Sequence, residues 1–512
     1  MGRADDHVAD ANFVFDLAHH HAELTGVTSH PNKHAGGRAH RISRIEFDTR
    51  SGAAHCRGLI ARQDAQGLGE LGCYGGGILR GADTRRIDQF ATEGLKLSHF
   101  VVEPQCTPTR SALMTGRYPI RSGNHTIALG GNDGGLVAWE RTIGDILSEA
   151  GYATACYGKW HIGAENGRWP TDHGFDEWYG PPRTYDECLW PDDPWYDADR
   201  DGYAYMYEGT RTTGVKPLKD QQLSVELKGQ IDAEYDRRAR NFMQRSVAAE
   251  KPFYLYHNHS LMHFPMVTRP EFRGQSTNSE WGDCLLMLDH DFGRILDYLT
   301  ELGISDNTIV IFAGDNGPED HLIGRGTAGF FDGSYFSSAE GGIRTPCLIR
   351  WPGKVPVRES NEMVHVTDMF TTLLRWAGCE PPSDRIIDGI DQRDFFSGGE
   401  TSSREGCMVW LNEELHAVKW SQFKVSFKRQ QHFHDPEIPL GFARIINLLE
   451  DPKEREAVNQ THVRWWVMQH ARRLIKQFED SVSTEGLIPA GAPIDFVPQR
   501  PGGPPGSVVL AR

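Results

Sequence analysis

The chain has 512 residues and a formal net charge of -16, a length that allows about three domains, although large α/β enzymes often build one core with an appended piece, as is expected here. The acidic balance excludes a generic phosphate-tracking surface, which needs Lys and Arg in excess, yet a few local cations can still hold a small anion. Nine cysteines without paired spacing argue against a disulfide framework and predict a reducing, cytoplasmic setting, and no apolar run approaches the ~20 residues of a membrane helix, so neither nucleic acid nor a membrane is expected as a partner.

In chain order, residues 1–56 carry eight of the 23 histidines, among them His19, His20 and His21, with little apolar periodicity. A stretch without a core element reads as a non-catalytic extension, either disordered or the product of a wrong reading frame. From about residue 57 to 400, strand-like runs alternate with helical ones, the pattern of a βαβ protein. Strands are expected at 99–104, 153–157, 253–257, 308–313 and 346–351. In open α/β sheets ligands sit beyond the carboxyl ends of the strands, so the residues that follow these runs become candidates: Cys106, Lys159 with His161, His263, and Asp315 with Asn316.

The segment from Cys106 to Arg117 should open a helix, with Thr107 as N-cap, Pro108 in the first turn and Gly116 ending it in a left-handed conformation. A helix N-terminus is a natural seat for an oxyanion, and Arg110, one turn in, adds a planar fork of donors. The insert from Trp178 to Tyr207 is rich in aromatics and reads either as a pocket mouth or as a loop packed on the core. Beyond residue 400 the text turns to short strands, at 417–427 and 444–449, and then to a helix at about 462–480. Residues 401–485 read as a small C-terminal subdomain and 486–512 as a mobile tail rich in Pro and Gly.

Cys106, Pro108, Arg110, Met114, Thr115, Gly116 and Arg117 reproduce the pattern Cys-x-Pro-x-Arg-x-x-x-Met-Thr-Gly-Arg of type I sulfatases. The block Gly158-Lys159-Trp160-His161, the pair Asp315-Asn316 and the stretch from Glu340 to Pro346 extend the likeness. Over roughly residues 57–480 the chain resembles the formylglycine-dependent, arylsulfatase-like members of the alkaline phosphatase superfamily. The resemblance implies a large, mixed, mostly parallel sheet sandwiched by helices, with a C-terminal subdomain of antiparallel sheet plus helix.

It further implies hydrolysis of a small anionic sulfate ester. A formylglycine-generating enzyme would oxidise Cys106 to formylglycine, whose hydrate attacks sulfur; its second hydroxyl is then deprotonated to release sulfate, one hard step split into two. Arg110 and Lys159 would hold the nucleophile and neutralise sulfate oxygens. His161 would act as base on the hydrate and His263 as acid on the leaving oxygen. Asp64, Asp315 and Asn316 would hold a divalent metal, Ca2+ in preference to Mg2+. His257 and His259, which lack the Phe-Pro that follows His263, read as structural, and so does the 340–346 stretch.

Two positions depart from the family. Asp64 takes the first acid position of the usual Ala-Asp-Asp and Ala65 the second, after a strand that carries Arg57, Arg62 and Gln63 where the family is apolar; and Tyr335 stands where many sulfatases have a lysine. The competing readings are a phosphonate monoester or phosphodiester hydrolase of the same superfamily, and a sulfatase-like pseudoenzyme with an impaired metal site.

Overall fold

The computed structural model describes residues 58–63, 67–127, 134–198, 203–320, 326–455 and 461–499, the first stretch as backbone. The N-terminal extension, Asp64, Ala65 and the end of the tail lie outside the described residues.

Eleven strands form the main sheet: β1 Gly58–Gln63, β2 Leu95–Val101, β3 Ala153–Tyr157, β4 Glu177–Gly180, β5 Tyr205–Thr210, β6 Gly214–Gln222, β7 Phe253–Asn258, β8 Val310–Gly314, β9 Arg344–Arg350, β10 Arg358–Ser360 and β11 Val364–His365. Their order is β10-β2-β9-β8-β1-β7-β3-β4-β5-β6, with β11 also on β2. The centre, β8-β1-β7-β3-β4, is parallel throughout. β7 and β8 are buried at every position, as runs apolar on both faces must be, and such strands need cover on both sides of the sheet. Helices supply it. α1 Cys106–Thr115 packs on a later helix, Val366–Trp376, while α2 Val225–Ala248 packs on β3, β7 and α3 Ser279–Glu301. α3 buries Cys284, Leu285, Leu288, Phe292, Ile295 and Leu299, a one-sided apolar stripe of helical period.

β1 forms although it carries Arg62 and Gln63. Its backbone pairs in parallel with both neighbours, Leu59 opposite Leu255 on one side and Val310 on the other. The strand at 346–351 needs a correction. β9 runs antiparallel to β2 and β8, so its carboxyl end points away from the edge where β2, β3, β4, β7 and β8 end. Its amino end, preceded by the short helix Glu340–Ile343, is the one that faces the crevice.

The C-terminal sheet is antiparallel, β12 Gly406–Leu411, β13 Glu414–Trp420, β14 Phe423–Arg429 and β15 Ile438–Asn447, in that order. α4 Met468–Thr484 packs against β12 and β13, closing a core of Val418, Val425, Ile445, Ala471 and Phe478. The run at 417–427 is two strands, because Ser421, at φ 52°, turns the chain back. The tail is also different from expectation over its described part. Ile488 is buried and its N–H donates to the Arg121 carbonyl at 3.0 Å, Ala138 N–H donates to Ile494 O at 2.9 Å, and Arg168 Nη2 donates to Ala492 O at 2.6 Å. Pro and Gly cost the tail regular structure, but its carbonyls are captured one by one by the large domain.

The charged junction between the two sheets belongs to the 340–346 stretch. Glu340, fully buried, meets Lys419 Nζ at 2.6 Å, Lys424 Nζ at 3.3 Å and Arg344 Nη1 at 3.3 Å. Burial alone would raise its pKa, but Lys419, Lys424 and Arg344 outweigh that and hold the carboxyl far below the ordinary range.

Candidate active site

The parallel centre puts the carboxyl ends of several strands on one edge, and the chain leaves each of them with a polar group. After β2 comes Cys106, the first residue of α1. Gln105, extended at φ -140° and ψ 158°, is the N-cap and makes no side-chain cap bond. Thr107 is therefore not the cap. Its hydroxyl donates instead to the carbonyl of His161 at 2.9 Å. Gly116 ends the helix as expected, left-handed at φ 69°.

After β3 come Lys159 and His161. His161 sits at φ 61°, a left-handed conformation that costs a non-glycine residue on the order of 1–3 kcal/mol and persists only where its surroundings impose it. Two bonds impose it here: Thr107 on its carbonyl, and its own N–H on Pro182 O at 3.0 Å. The result aims Nδ1 at the Cys106 sulfur, 3.3 Å away. Lys159 is fully buried, and its Nζ reaches Thr184 Oγ1 at 3.4 Å.

After β8 come Asp315 and Asn316, both buried. Arg110 spans the crevice: Nη1 donates to Lys159 O at 2.7 Å and Nη2 pairs with Asp315 Oδ2 at 2.9 Å. The guanidinium thus joins the β3 and β8 strand ends, beyond the anion-holding task that the sequence suggests for it. After β7 comes His263, whose Nε2 lies 2.9 Å from Thr184 Oγ1 and whose Nδ1 lies 2.8 Å from Phe264 O. His257 and His259 form a separate buried pair with ring centroids 4.7 Å apart, the second 3.6 Å from Asp232.

The fold therefore links Cys106, Arg110, Lys159, His161, His263 and Asp315 through contacts that start from four strand ends, while Asp64 lies outside the described residues. Thr184 and Asp186, which follow β4, were missed by sequence reasoning. The signal was available: the Trp178–Tyr207 insert begins with a strand whose end is Gly180, and the strand-end rule that selected the other candidates applies to it equally. The insert lies over the crevice, with Tyr185 6.1 Å from the His263 ring and Trp190 5.9 Å from Phe264, centroid to centroid.

Tyr335 sits in the same crevice, near enough to Cys106, Glu319 and Asp186 to feel their charges. Desolvation first, then the charges of Cys106, Glu319 and Asp186, push its pKa well above the ordinary phenol value, so it stays neutral and can donate. The position carries a neutral phenol where a lysine would bring a charge. Beside His161 and Thr107 lies a small cleft, bordered by Asn124, Arg183 and, from the docked tail, Gly491.

The donor set fits a hard cation. Asn316 Oδ1 is buried and makes no hydrogen bond among the described residues, while its Nδ2 donates to Gly317 O at 3.0 Å. An amide oxygen held in that way beside a carboxylate is oxygen-donor chemistry suited to Ca2+ or Mg2+. Among the described residues no three His, Cys, Asp or Glu side chains are gathered as a metal cluster, and none of their helices is long and apolar enough to cross a membrane.

Comparison with known proteins agrees with this geometry. The family model for sulfatases matches residues 62–379. The chain is 34% identical over 390 residues to the N-acetylgalactosamine-6-sulfatase of Canis lupus familiaris, covering 72% of this chain and 71% of that protein. It is 31% identical over 394 residues to human arylsulfatase A, covering 72% and 74%. The crystal structure of the PsFucS1 sulfatase from Pseudoalteromonas sp. superposes with a TM-score of 0.77 at 29% identity, covering 86% of this chain and 92% of that one. Sulfatases generally work with formylglycine and a divalent metal. The chain belongs to the sulfatase family and is a sulfuric ester hydrolase.

Proposed function

We propose that the crevice hydrolyses a small aryl or sugar sulfate, with Cys106 as the precursor of the nucleophile. The observation that carries this is the seat of Cys106 at the N-terminus of α1, 3.3 Å from His161 Nδ1, with Lys159 and the Arg110–Asp315 pair alongside. Converted to formylglycine by a formylglycine-generating enzyme, this residue supplies a hydrated aldehyde, whose paired hydroxyls allow attack on sulfur and later release of sulfate. The names of the relatives, an amino-sugar 6-sulfatase and an arylsulfatase, support this substrate class.

His161 receives the proton of the attacking hydroxyl, and its pinned backbone keeps Nδ1 on the nucleophile. Lys159 sets a buried positive charge where sulfate oxygens gain negative charge in the transition state, a placement worth about 10²–10³ in rate for a single electrostatic group. Arg110 keeps the strand ends in register and adds positive potential at the helix N-terminus. Tyr335 donates a neutral hydrogen bond toward the nucleophile. His263 protonates the leaving oxygen. Asp315 and Asn316, with Asp64, would hold the divalent metal, which we take to be Ca2+ and which supplies Lewis-acid polarisation when bound. A cytoplasmic location belongs to the same proposal. It is supported by nine cysteines whose spacing argues against a disulfide framework and tested by cell fractionation.

Two measurements decide it. Mass spectrometry of the Cys106 peptide from a host competent for the modification should show conversion of thiol to aldehyde. Turnover of 4-nitrophenyl sulfate should exceed that of a matched phosphodiester; a preference for the diester overturns the assignment, and a converted Cys106 without turnover points to the pseudoenzyme.

A further inference from the structure

Hydrogen-bond accounting at the end of β4 says more about His263. Thr184 Oγ1 has one proton and three neighbours: Asp186 Oδ1 at 2.7 Å, His263 Nε2 at 2.9 Å and Lys159 Nζ at 3.4 Å. Lysine only donates, and an ionised carboxylate only accepts. The hydroxyl proton therefore goes to Asp186, which leaves the Thr184 oxygen to accept from both Lys159 and His263 Nε2. On the other side of the ring, Nδ1 faces the Phe264 carbonyl at 2.8 Å, which can only accept, so Nδ1 must donate as well. A ring that donates from both nitrogens is an imidazolium.

We propose that Thr184 and Asp186 are positioning residues that hold His263 in its doubly protonated form, ready to act as acid on the leaving oxygen. This rests on the reading of His263 given above. Asp186 Oδ1 lies 3.9 Å from His263 Nε2, close enough for direct attraction as well as for the relay through Thr184. Burial by itself would raise the Asp186 pKa, but His263, the Thr184 hydrogen bond and Lys159 outweigh it and keep the carboxyl ionised. The other groups that face His263 are the Tyr185 ring at 6.1 Å and Lys228, whose Nζ donates to the His263 carbonyl at 3.1 Å. Glu319 accepts from Phe264 N–H at 3.1 Å. Lys159 and Lys228 disfavour the cation, and Asp186, 3.9 Å from Nε2, favours it. In the chemical step a hydrate oxygen bonds to sulfur as the S–O bond to the leaving group breaks, its electron pair passes to the bridging oxygen, and the Nε2 proton leaves its hydrogen bond to Thr184 and moves to that oxygen to give the alcohol. Neutral His263 then regains a proton from water.

The test is a pH profile of kcat/KM on two substrates, phenyl sulfate, whose leaving group needs the proton, and 4-nitrophenyl sulfate, whose leaving group hardly does. Activity on phenyl sulfate requires the imidazolium and must fall as pH rises through the His263 pKa. Asp186→Asn lowers that pKa, so the basic limb should move down by about one to two pH units. At pH 7.5 phenyl sulfate turnover should drop about 10- to 100-fold, within the range of general-acid catalysis, and 4-nitrophenyl sulfate turnover only a few-fold. Thr184→Val should move the limb in the same direction and Thr184→Ser should restore it, which keeps the test alive if Asp186→Asn fails to fold. Equal losses on both substrates with an unmoved limb overturn the inference while leaving His263 as the acid. If His263→Gln leaves the phenyl sulfate rate unchanged, the reading of His263 and this inference fall together.

Discussion

Two buried ion clusters on this chain look alike in composition and differ in what they do with their charges. At the junction of the two sheets, Glu340 meets Lys419, Lys424 and Arg344, and Lys424 is further held by Glu454 at 2.8 Å and by Ser338 O at 2.7 Å. At the crevice, Arg110, Lys159 and Asp315 are buried as completely, yet Asn316 Oδ1 makes no hydrogen bond among the described residues, His161 is held left-handed, and a cleft opens beside it. Burial of charge therefore marks neither structure nor chemistry. The distinction lies in whether the charges face only the cluster's own members, as Glu340 faces Lys419, Lys424 and Arg344, or stand beside a cleft.

The comparison breaks if crevice substitutions cost stability and junction substitutions cost turnover. Cys106→Ala should reduce sulfate ester turnover by at least about 10⁴-fold, the scale seen when a nucleophile is removed, with a thermal midpoint close to that of the parent. Glu340→Gln should cost about 3–5 kcal/mol of unfolding free energy, since it leaves the buried Lys419 without its carboxylate and Lys424 with Glu454 alone, while the folded fraction keeps its kcat. The same carboxyl gives the junction a pH signature. Its folded pKa is depressed, so its contribution is present above the ordinary carboxyl pKa and lost as pH falls below about 4.5; urea midpoints measured across that window should decline in the parent and decline less in Glu340→Gln. Lys159→Met should lower kcat by about 10²–10³-fold and shift the denaturation midpoint less than Glu340→Gln does. Smallest, Tyr335→Phe should cost about tenfold in kcat/KM, the worth of one neutral hydrogen bond; an unchanged value would mean that the phenol only fills space.

Much of the α/β core and most of the crevice were legible because their signals are local. An apolar run such as Phe253–Asn258 declares a doubly buried strand, and Gly116 declares a helix end. Errors arose where a residue had a local rule and a stronger distant partner. Thr107 has the chemistry of an N-cap, but the strained carbonyl of His161 takes its hydroxyl. The tail has the composition of a mobile segment, but Arg121, Ala138 and Arg168 supply bonds from far away in the chain. β9 reads as one more strand of a parallel set because nothing local distinguishes an antiparallel neighbour from a parallel one.

By itself the amino-acid sequence determined the family, the sheet-and-helix alternation, and the types and spacing of Cys106, Arg110, Lys159, His161, His263, Asp315 and Asn316, since each of these is a short-range pattern. Only the tertiary structure decided that Arg110 meets Asp315, that Lys419 reaches Glu340 across 79 residues, and that Thr184 and Asp186 stand behind His263. Those partnerships depend on the order in which strands enter the sheet, and strand order is settled by the burial of whole faces against one another, a property that no local stretch of residues carries.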